Sequence, residues 1–187
     1  MRVIAGKAKG RKLKSVPGTG TRPITDRAKS ALFSILGSDV IGCCCLDLFA
    51  GTGQVAIEAL SRGAGEAVLV EQAGLALRTI RGNLSHTGLE DDARVVRDDV
   101  FHFLAGSPEP FDYTYVAPPQ YQGLWVRTLQ MLDAELGWLV DDGWVIAQIH
   151  PREYEDLPLD HLRLFDQRTY GGVMLCFYAR VEEETDE

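Results

Sequence analysis

The sequence predicts an α/β protein built on a doubly wound, mostly parallel sheet of seven strands, with a basic β-hairpin at its N-terminus. Short apolar segments alternate with segments whose apolar residues recur at helical spacing, which is typical of a sheet covered by helices on both faces. A glycine-rich turn at residues 51–53 joins the first apolar segment to its helix. The last two apolar segments flank Gly171 and Gly172, a hairpin signal that adds an antiparallel strand.

Five helices are expected from capping residues and periodicity. Thr25 or Asp26 can cap the first helix, which should end near Gly37. Gly63 and Gly88 should end the second and third helices, because glycine adopts the left-handed conformation that closes a helix. The expected helices span 26–37, 54–62, 73–88, 100–106 and 121–139.

The apolar segments between these helices are predicted to be strands. They span 43–49, 66–71, 93–100, 111–119, 143–151 and two segments within 162–181, and a charged tail follows at 182–187. Ligands of a doubly wound sheet bind beyond the carboxyl ends of its strands. The chemistry is therefore expected in the loops after Phe49, Val70, Arg97 and Val116.

Length and composition indicate an ordinary globular protein. The 187 residues are 45% hydrophobic and 25% charged, enough for one domain with a small appendage. No apolar run approaches the roughly 20 residues that span a bilayer. The basic N-terminus also lacks the apolar region of a secretory signal. We therefore expect a cytoplasmic monomer without membrane association.

The four cysteines do not have metal-site spacing. Cys43, Cys44 and Cys45 are consecutive, whereas zinc ligands need spacers of two to four residues. We expect them to pack as small apolar residues in a reduced compartment. The four histidines are scattered along the chain, so no bound metal is expected.

Charge is unevenly distributed along the chain. Residues 1–29 carry nine basic residues and one acidic residue, a net charge of +8, whereas the rest has a net charge of −16. Apolar residues at 2–5 and 13–16 flank a basic turn, which predicts a hairpin that presents a basic tip. A basic arm (1–22) on an acidic domain (23–181) is typical of nucleic-acid binding. The candidate phosphate contacts are Arg2, Lys7, Lys9, Arg11, Lys12, Lys14 and Arg22.

Acidic residues stand at the ends of the first three predicted strands. Asp47 offers a carboxylate to an ammonium group, and Glu71 can accept hydrogen bonds from both hydroxyls of a ribose. The acidic pair at 98–99 could accept from an adenine amino group, although each of these acids could instead cap a helix. The candidate cofactor-binding residues are Asp47, Phe49, Gly51, Thr52, Gly53, Glu71, Asp98 and Asp99.

Together these groups favour a ligand that joins adenosine to an amino acid, which is S-adenosylmethionine. A nicotinamide enzyme on a Rossmann fold is the alternative. Ala56 takes the place of the third glycine in the dinucleotide fingerprint G-x-G-x-x-G, and Asp47 would repel a pyrophosphate. Both features argue against the alternative.

The segment YVAPPQYQGLW has the features of a substrate loop. An apolar strand ends in two prolines, and an aromatic residue follows. Comparable loops in enzymes that methylate amino groups usually begin with Asp or Asn, and alanine takes that place here. The candidate catalytic residues are Ala117, Pro118, Pro119, Gln120 and Tyr121.

The chain resembles the class I S-adenosylmethionine-dependent methyltransferases and, within them, the RsmD family of bacterial 16S rRNA guanine-N(2)-methyltransferases. RVIAGKAKGRKLK is similar to the family's basic hairpin, and TRPITDRAKSALFSIL is similar to the segment that follows it. LDLFAGTGQVAIEALSRGA and LVEQ are similar to the family's cofactor motifs. The resemblance implies methylation of a guanine 2-amino group in 16S rRNA, within a small-subunit particle. It also implies that the loop accepts hydrogen bonds from the amino group while the aromatic side chain stacks on a base swung out of the RNA.

Two departures from the family pattern leave three hypotheses open. Ala117 has no acceptor, and Tyr121 comes one residue late. In the first hypothesis the enzyme is active, and the Pro118 carbonyl and the Gln120 side chain share the acceptor role. In the second, the chain is a weak or inactive homologue that binds ribosomal RNA or cofactor as an assembly factor. In the third, the target is a different atom. His150 is a further candidate for lining the base pocket.

Overall fold

Seven strands form one sheet in the residues that a computed structural model describes, 1–18 and 23–181. The strands are β1 (Cys44–Leu48), β2 (Glu66–Glu71), β3 (Ala93–Arg97), β4 (Phe111–Val116), β5 (Leu139–Ile149), β6 (Leu162–Tyr170) and β7 (Val173–Arg180). Two predicted features, the phosphate contact of Arg22 and the tail at 182–187, lie outside the described residues.

The strand order is β3-β2-β1-β4-β5-β7-β6. Strands β1 to β5 pair in parallel, and β7 is antiparallel to both β5 and β6. The predicted fold class, a mostly parallel seven-stranded α/β sheet, is confirmed. The hairpin supplies the antiparallel strand as expected, and β7 lies between β5 and β6.

Five α-helices cover the sheet in the described part of the chain. They are α1 (Asp26–Leu36), α2 (Gln54–Ser61), α3 (Gly74–Thr87), α4 (Val100–Leu104) and α5 (Leu124–Ala134). The Thr25 hydroxyl caps α1 by accepting from the N–H of Ala28 at 3.2 Å. Gly88 ends α3 with φ 66°. Both capping predictions are confirmed, because caps depend on residues close in sequence.

Alternate side chains along the strands pack in two different hydrophobic cores. On β2, Ala67 and Leu69 pack with α1, α2 and α3, whereas Val68 and Val70 pack with α4 and α5. Both faces of the central strands are therefore buried, which explains their nearly continuous apolar sequence. This layering leaves the carboxyl ends of the strands as the place where polar side chains can gather.

Several predicted boundaries were wrong by three residues or more, and the two largest errors lie at the end of α5 and the start of β5. The helix ends at Ala134 instead of 139, because a 3₁₀ turn replaces its last residues. Gly137 lies in this turn, and a Cβ there would lie 2.8 Å from both Glu135 and Pro108, so the turn has no room for a side chain at this position. Strand β5 begins at Leu139 instead of 143, because an irregularity in the register lets it pair earlier with Phe111.

The predicted N-terminal hairpin is present as two antiparallel limbs joined by a bridge between Arg2 and Lys12. Its tip presents basic side chains to solvent as expected, although its backbone contacts the rest of the protein. The N–H of Lys7 donates to the Ser61 carbonyl at 2.8 Å, and a Cβ on Gly6 would lie 1.8 Å from the same oxygen. The backbone of the tip therefore packs directly on the end of α2, while the basic side chains stay exposed.

A buried carboxylate holds the arm in this position. Glu58 on α2 accepts from the N–H groups of Ile4 and Ala5 at 2.8 and 3.0 Å. Its side chain also pairs with Lys29 on α1 at 3.4 Å, with both side chains fully buried, and with Arg62 at 2.8 Å. Burial lowers the pKa of Lys29, and Glu58 opposes that shift. One acidic side chain thus joins the arm to two helices.

The cysteines pack in the protein as free thiols. Cys43 and Cys45 lie on the same side of the chain with their sulfur atoms 3.2 Å apart, and both are buried. Within the described residues, no group of three or more His, Cys, Asp or Glu is arranged to hold a metal. Among the same residues, none of the helices has the length and apolarity needed to cross a bilayer.

Candidate active site

A cleft of ≈ 340 Å³ opens at the carboxyl ends of the central strands. It brings together segments that are remote in sequence, namely the ends of β1 and β2, the start of α4 and the loop after β4. Six of the eight predicted cofactor-binding residues line it, and so do four of the five predicted loop residues. These are Asp47, Phe49, Gly51, Thr52, Glu71, Asp98, Ala117, Pro118, Pro119 and Gln120.

Asp47 is the buried acid of the cleft. Its side chain accepts from the N–H of Ala56 at 3.4 Å. Burial raises the pKa of Asp47 to about 8, the Ala56 hydrogen bond opposes this shift, and the Glu71 charge adds to it. A buried carboxyl of this kind gains most from a cationic partner, because a nearby positive charge restores its ionised form.

Glu71 is oriented by the backbone around it. Its two oxygens accept from the N–H groups of Gly51 at 3.0 Å and Ala73 at 2.8 Å. A carboxylate has about four lone-pair positions, so both oxygens can still accept from the hydroxyls of a ligand. The Glu71 side chain is therefore held in one direction and can still accept hydrogen bonds from a diol.

The glycine-rich loop has an unusual backbone at its start. Phe49 adopts φ 62°, a conformation that is strained for a bulky residue. Its ring contacts Phe101 edge-on at 6.3 Å. Gly53 does not line the cleft. It adopts φ 74° just before α2, a conformation that favours glycine, and a Cβ there would lie 3.1 Å from Leu69. Close packing explains this glycine without a ligand contact.

The acidic pair at 98–99 divides into two roles. Asp98 lines the cleft and pairs with Nδ1 of His102 at 2.8 Å, and this hydrogen bond raises the pKa of His102. Asp99 caps α4, accepting from the N–H groups of Phe101 at 2.9 Å and His102 at 3.2 Å. The structure therefore places the Asp98 carboxylate at the cleft and uses the Asp99 carboxylate as a helix cap.

The loop after β4 turns sharply at its aromatic residue. Tyr121 is 64% exposed, has φ 59°, and donates its N–H to the Glu153 carboxylate. Its ring lies 5.7 Å from that of His150. Neither ring lines the cleft, so Tyr121 and His150 form an aromatic pair beside it.

Comparison with known proteins places this architecture in a family. A family model described as "Conserved hypothetical protein 95" matches residues 1–179. The chain belongs to this family. The predicted resemblance to the RsmD family and the predicted fold are confirmed by its relatives. The Bacillus subtilis (strain 168) protein YlbH, named as a candidate rRNA methyltransferase, is 38% identical over 185 residues, which is 96% of this chain and 99% of the relative.

A sequence relative and a solved structure, both from Escherichia coli, extend the comparison. The ribosomal RNA small subunit methyltransferase D of strain K12 is 36% identical over 148 residues, 79% of this chain and 74% of the relative. The solved structure of yhhF, described as a candidate methyltransferase, superimposes on this chain with a TM-score of 0.84 at 34% identity. The superposition covers 98% of this chain and 99% of the yhhF chain. The family's overall architecture is therefore that of this chain.

Sequence reasoning missed two polar side chains in this family member's cleft. Tyr115 on β4 donates its hydroxyl to Oε1 of Gln148 on β5, and both residues line the cleft. Burial raises the pKa of Tyr115 well above its usual value. Gln148 is a lone polar residue in the apolar segment VIAQI. That interruption is the signal that could have identified it.

A third missed residue links the basic arm to the cleft. Asn83 on α3 is fully buried. It accepts from the N–H of Lys14 at 2.8 Å and donates to the carbonyls of Lys14 and Thr52 at 3.1 and 3.0 Å. One amide therefore connects the arm to the glycine-rich loop.

The basic side chains of the arm differ in their partners. Arg2 pairs with Asp26 and Lys7 pairs with Asp92, each at 3.3 Å, and Arg11 donates to the backbone. The side chains of three further lysines are exposed on the surface. These are Lys9, Lys12 and Lys14.

Proposed function

We propose that this protein transfers a methyl group from S-adenosylmethionine to the 2-amino group of a guanine in small-subunit ribosomal RNA, acting as a monomer. The observation that carries the proposal is one cleft that holds both the acidic strand ends and the proline loop. The acidic strand ends suit a cofactor, and the proline loop suits a base. The names of the relatives, which refer to rRNA methylation, support the same substrate class.

The acids of the cleft fit the charge and hydrogen-bonding groups of S-adenosylmethionine. Asp47 would hold the ammonium group, because a cation beside its buried carboxyl would restore the ionised form. Glu71 would hold the ribose hydroxyls, and Asp98 would accept from the adenine amino group. The volume, ≈ 340 Å³, lies in the range of small-molecule sites. When bound, the cofactor supplies a methyl group activated by a positively charged sulfur.

The protein's part in the reaction is to hold and align the amine. The lone pair of a guanine 2-amino nitrogen is delocalised into the ring, so the nitrogen is a weak nucleophile. Acceptors for its two hydrogens would localise the lone pair and direct it at the methyl group. Pro118 lines the cleft, and its carbonyl would accept from one of them. Alignment of this kind can supply several kcal/mol of the roughly 7–11 kcal/mol available from positioning.

The base would reach the cleft by leaving its RNA stack. Tyr121 is exposed beside the opening and is suited to stack on the extruded base. The basic arm would bind phosphates, and Asn83 connects that arm to the glycine-rich loop. RNA binding and cofactor binding would thus meet in one rigid region.

The test is methyl transfer from isotopically labelled S-adenosylmethionine to two substrates, free 16S rRNA and small subunits that lack the modification. Nucleoside analysis of the product should identify N2-methylguanosine. Fully modified subunits are the matched control and should accept no label. Label on another atom, or no transfer to either substrate despite cofactor binding, would contradict the proposal. The more active substrate shows whether free RNA or a particle is recognised.

A further inference from the structure

An exocyclic amino group has two N–H donors, and holding it firmly requires two acceptors. Pro118 lines the cleft, and its carbonyl is one candidate. The loop side chain that begins this segment, Ala117, is a methyl group and accepts nothing. A second acceptor must come from elsewhere in the cleft or from a later residue of the loop.

The register of β4 and β5 places Gln148 next to this position. Val116 pairs with Ala147, so the following residues, Ala117 and Gln148, are neighbours at the carboxyl ends of the two strands. They also share a face of the sheet, because side chains alternate along a strand. Tyr115 and Ile146, two residues earlier, pack in one core together with Ala117. The Gln148 side chain therefore starts beside the methyl group of Ala117 and enters the same cleft.

A hydrogen bond orients the Gln148 amide. The hydroxyl of Tyr115 donates to Oε1, and a carbonyl oxygen has a second lone pair for another donor. Tyr115 is itself 6% exposed and sits on a central strand whose register pairs it with Asp47. The acceptor is thus supported by the rigid part of the fold, as preorganised polar groups require.

We propose that Oε1 of Gln148 is the side-chain acceptor for the substrate amino group, with Tyr115 as its positioning residue. The inference rests on the proposed function, since it concerns the same amine. Gln120 is the competing acceptor. It belongs to a loop that continues into the exposed Tyr121, whereas Gln148 lies on a strand bonded on both sides. A strand holds a group in place better than a loop does.

The experiment measures single-turnover methylation of the RNA substrate at saturating cofactor. Gln148→Ala should lower the rate ~10²–10³-fold, the loss typical of one positioned polar group. Gln148→Met keeps a side chain of similar volume and should lower the rate by as much as Gln148→Ala. Gln120→Ala should lower the methylation rate less than ~10-fold. Gln130→Ala, an exposed glutamine on α5, is the matched control and should leave the rate unchanged.

Binding measurements separate a catalytic contact from a structural one. Calorimetry with S-adenosylhomocysteine and equilibrium binding of 16S rRNA should give affinities within about threefold of wild type for Gln148→Met, because the residue acts on the amine alone. In the same background, Ala117→Asp should recover part of the rate by supplying an acceptor from the adjacent strand.

Gln148→Glu adds a pH signature. Its carboxyl accepts hydrogen bonds fully only when ionised, so the rate of this variant should gain a rise with pH across the titration of that carboxyl. Asp47, which lines the same cleft, titrates in both proteins, so the diagnostic result is the additional rise that the variant shows over wild type. If wild type methylates no RNA amino group, both the proposed function and this inference fail. This inference alone is overturned if wild type is active and Gln148→Met has the same methylation rate. It is also overturned if Gln148→Met loses cofactor affinity in proportion to its loss of rate.

Discussion

Removing the buried carboxylate of Glu58 should strongly destabilise the protein and release its N-terminal arm. In Glu58→Ala, the N–H groups of Ile4 and Ala5 lose their acceptor, at 2.8 and 3.0 Å in the native structure. Lys29, which is fully buried, loses its ion-pair partner. The change also leaves a cavity at the contact between α1, α2 and the arm.

The expected cost follows from these contacts. Breaking a buried ion pair by removing one partner costs about 3–5 kcal/mol, because the other charge stays buried. A hydrogen bond to a charged group contributes about 1.5–3 kcal/mol, but the Ile4 and Ala5 amides lie near the surface and regain water. Since these contributions overlap, we expect a loss of about 4–5 kcal/mol in the free energy of unfolding. That is a large part of the roughly 5–15 kcal/mol typical of a folded protein.

Equilibrium urea denaturation, followed by circular dichroism, measures this loss as a shift in the midpoint at constant slope. Glu66→Ala is the matched control, because that glutamate is exposed and its pair with Arg94 spans 3.6 Å. It should cost less than about 1 kcal/mol. Hydrogen exchange at the amides of Ile4 and Ala5 should become fast in Glu58→Ala and stay slow in the control.

A double substitution tests the physical reason. Replacing both partners with apolar residues, Lys29→Met with Glu58→Leu, should recover part of the lost stability, because no buried charge is left unpaired. If Glu58→Ala costs no more than Glu66→Ala, the buried pair does not anchor the arm and the reasoning is wrong.

Three further predictions concern the cleft and the arm. The pKa of Asp47 is raised from 3.8 to about 8, so its contribution to stability is complete below pH 4 and is lost as pH rises towards 8. Asp47→Asn should abolish that decline in thermal melts across this range, and it should weaken S-adenosylhomocysteine binding measured by calorimetry. Tyr121→Ala should lower RNA methylation about 5–100-fold, from the loss of base stacking, and more than Gln120→Ala does; equal rates for wild type and Tyr121→Ala would exclude stacking. Lys12→Gln should lower the slope of log affinity for RNA against log salt by about 1, and Lys7→Gln, whose ammonium already pairs within the protein, should lower it less. A salt-independent affinity in wild type would count against the arm as an RNA contact.

Patterns confined to neighbouring residues could be predicted from the sequence. The cap at Thr25 and the stop at Gly88 are such features, and both are present. The cleft could also be located, because parallel strands carry their carboxyl ends to one edge, and Asp47 and Glu71 do line it. The family was evident for the same reason, since its motifs are continuous stretches of chain.

Only the tertiary structure decided which remote groups meet. The carboxylate of Glu58 holds the backbone at Ile4 across 54 residues, and no local pattern encodes that contact. Asp98 and Asp99 are adjacent in sequence, yet the start of α4 turns one towards the cleft and uses the other as a cap. The pairing of Tyr115 with Gln148 depends on the register of two strands, which is set by burial and hydrogen bonding along the whole sheet. The sequence alone therefore determined the order of elements and the polar residues at the strand ends, whereas the partner and orientation of each polar group were decided by packing between segments far apart in the chain.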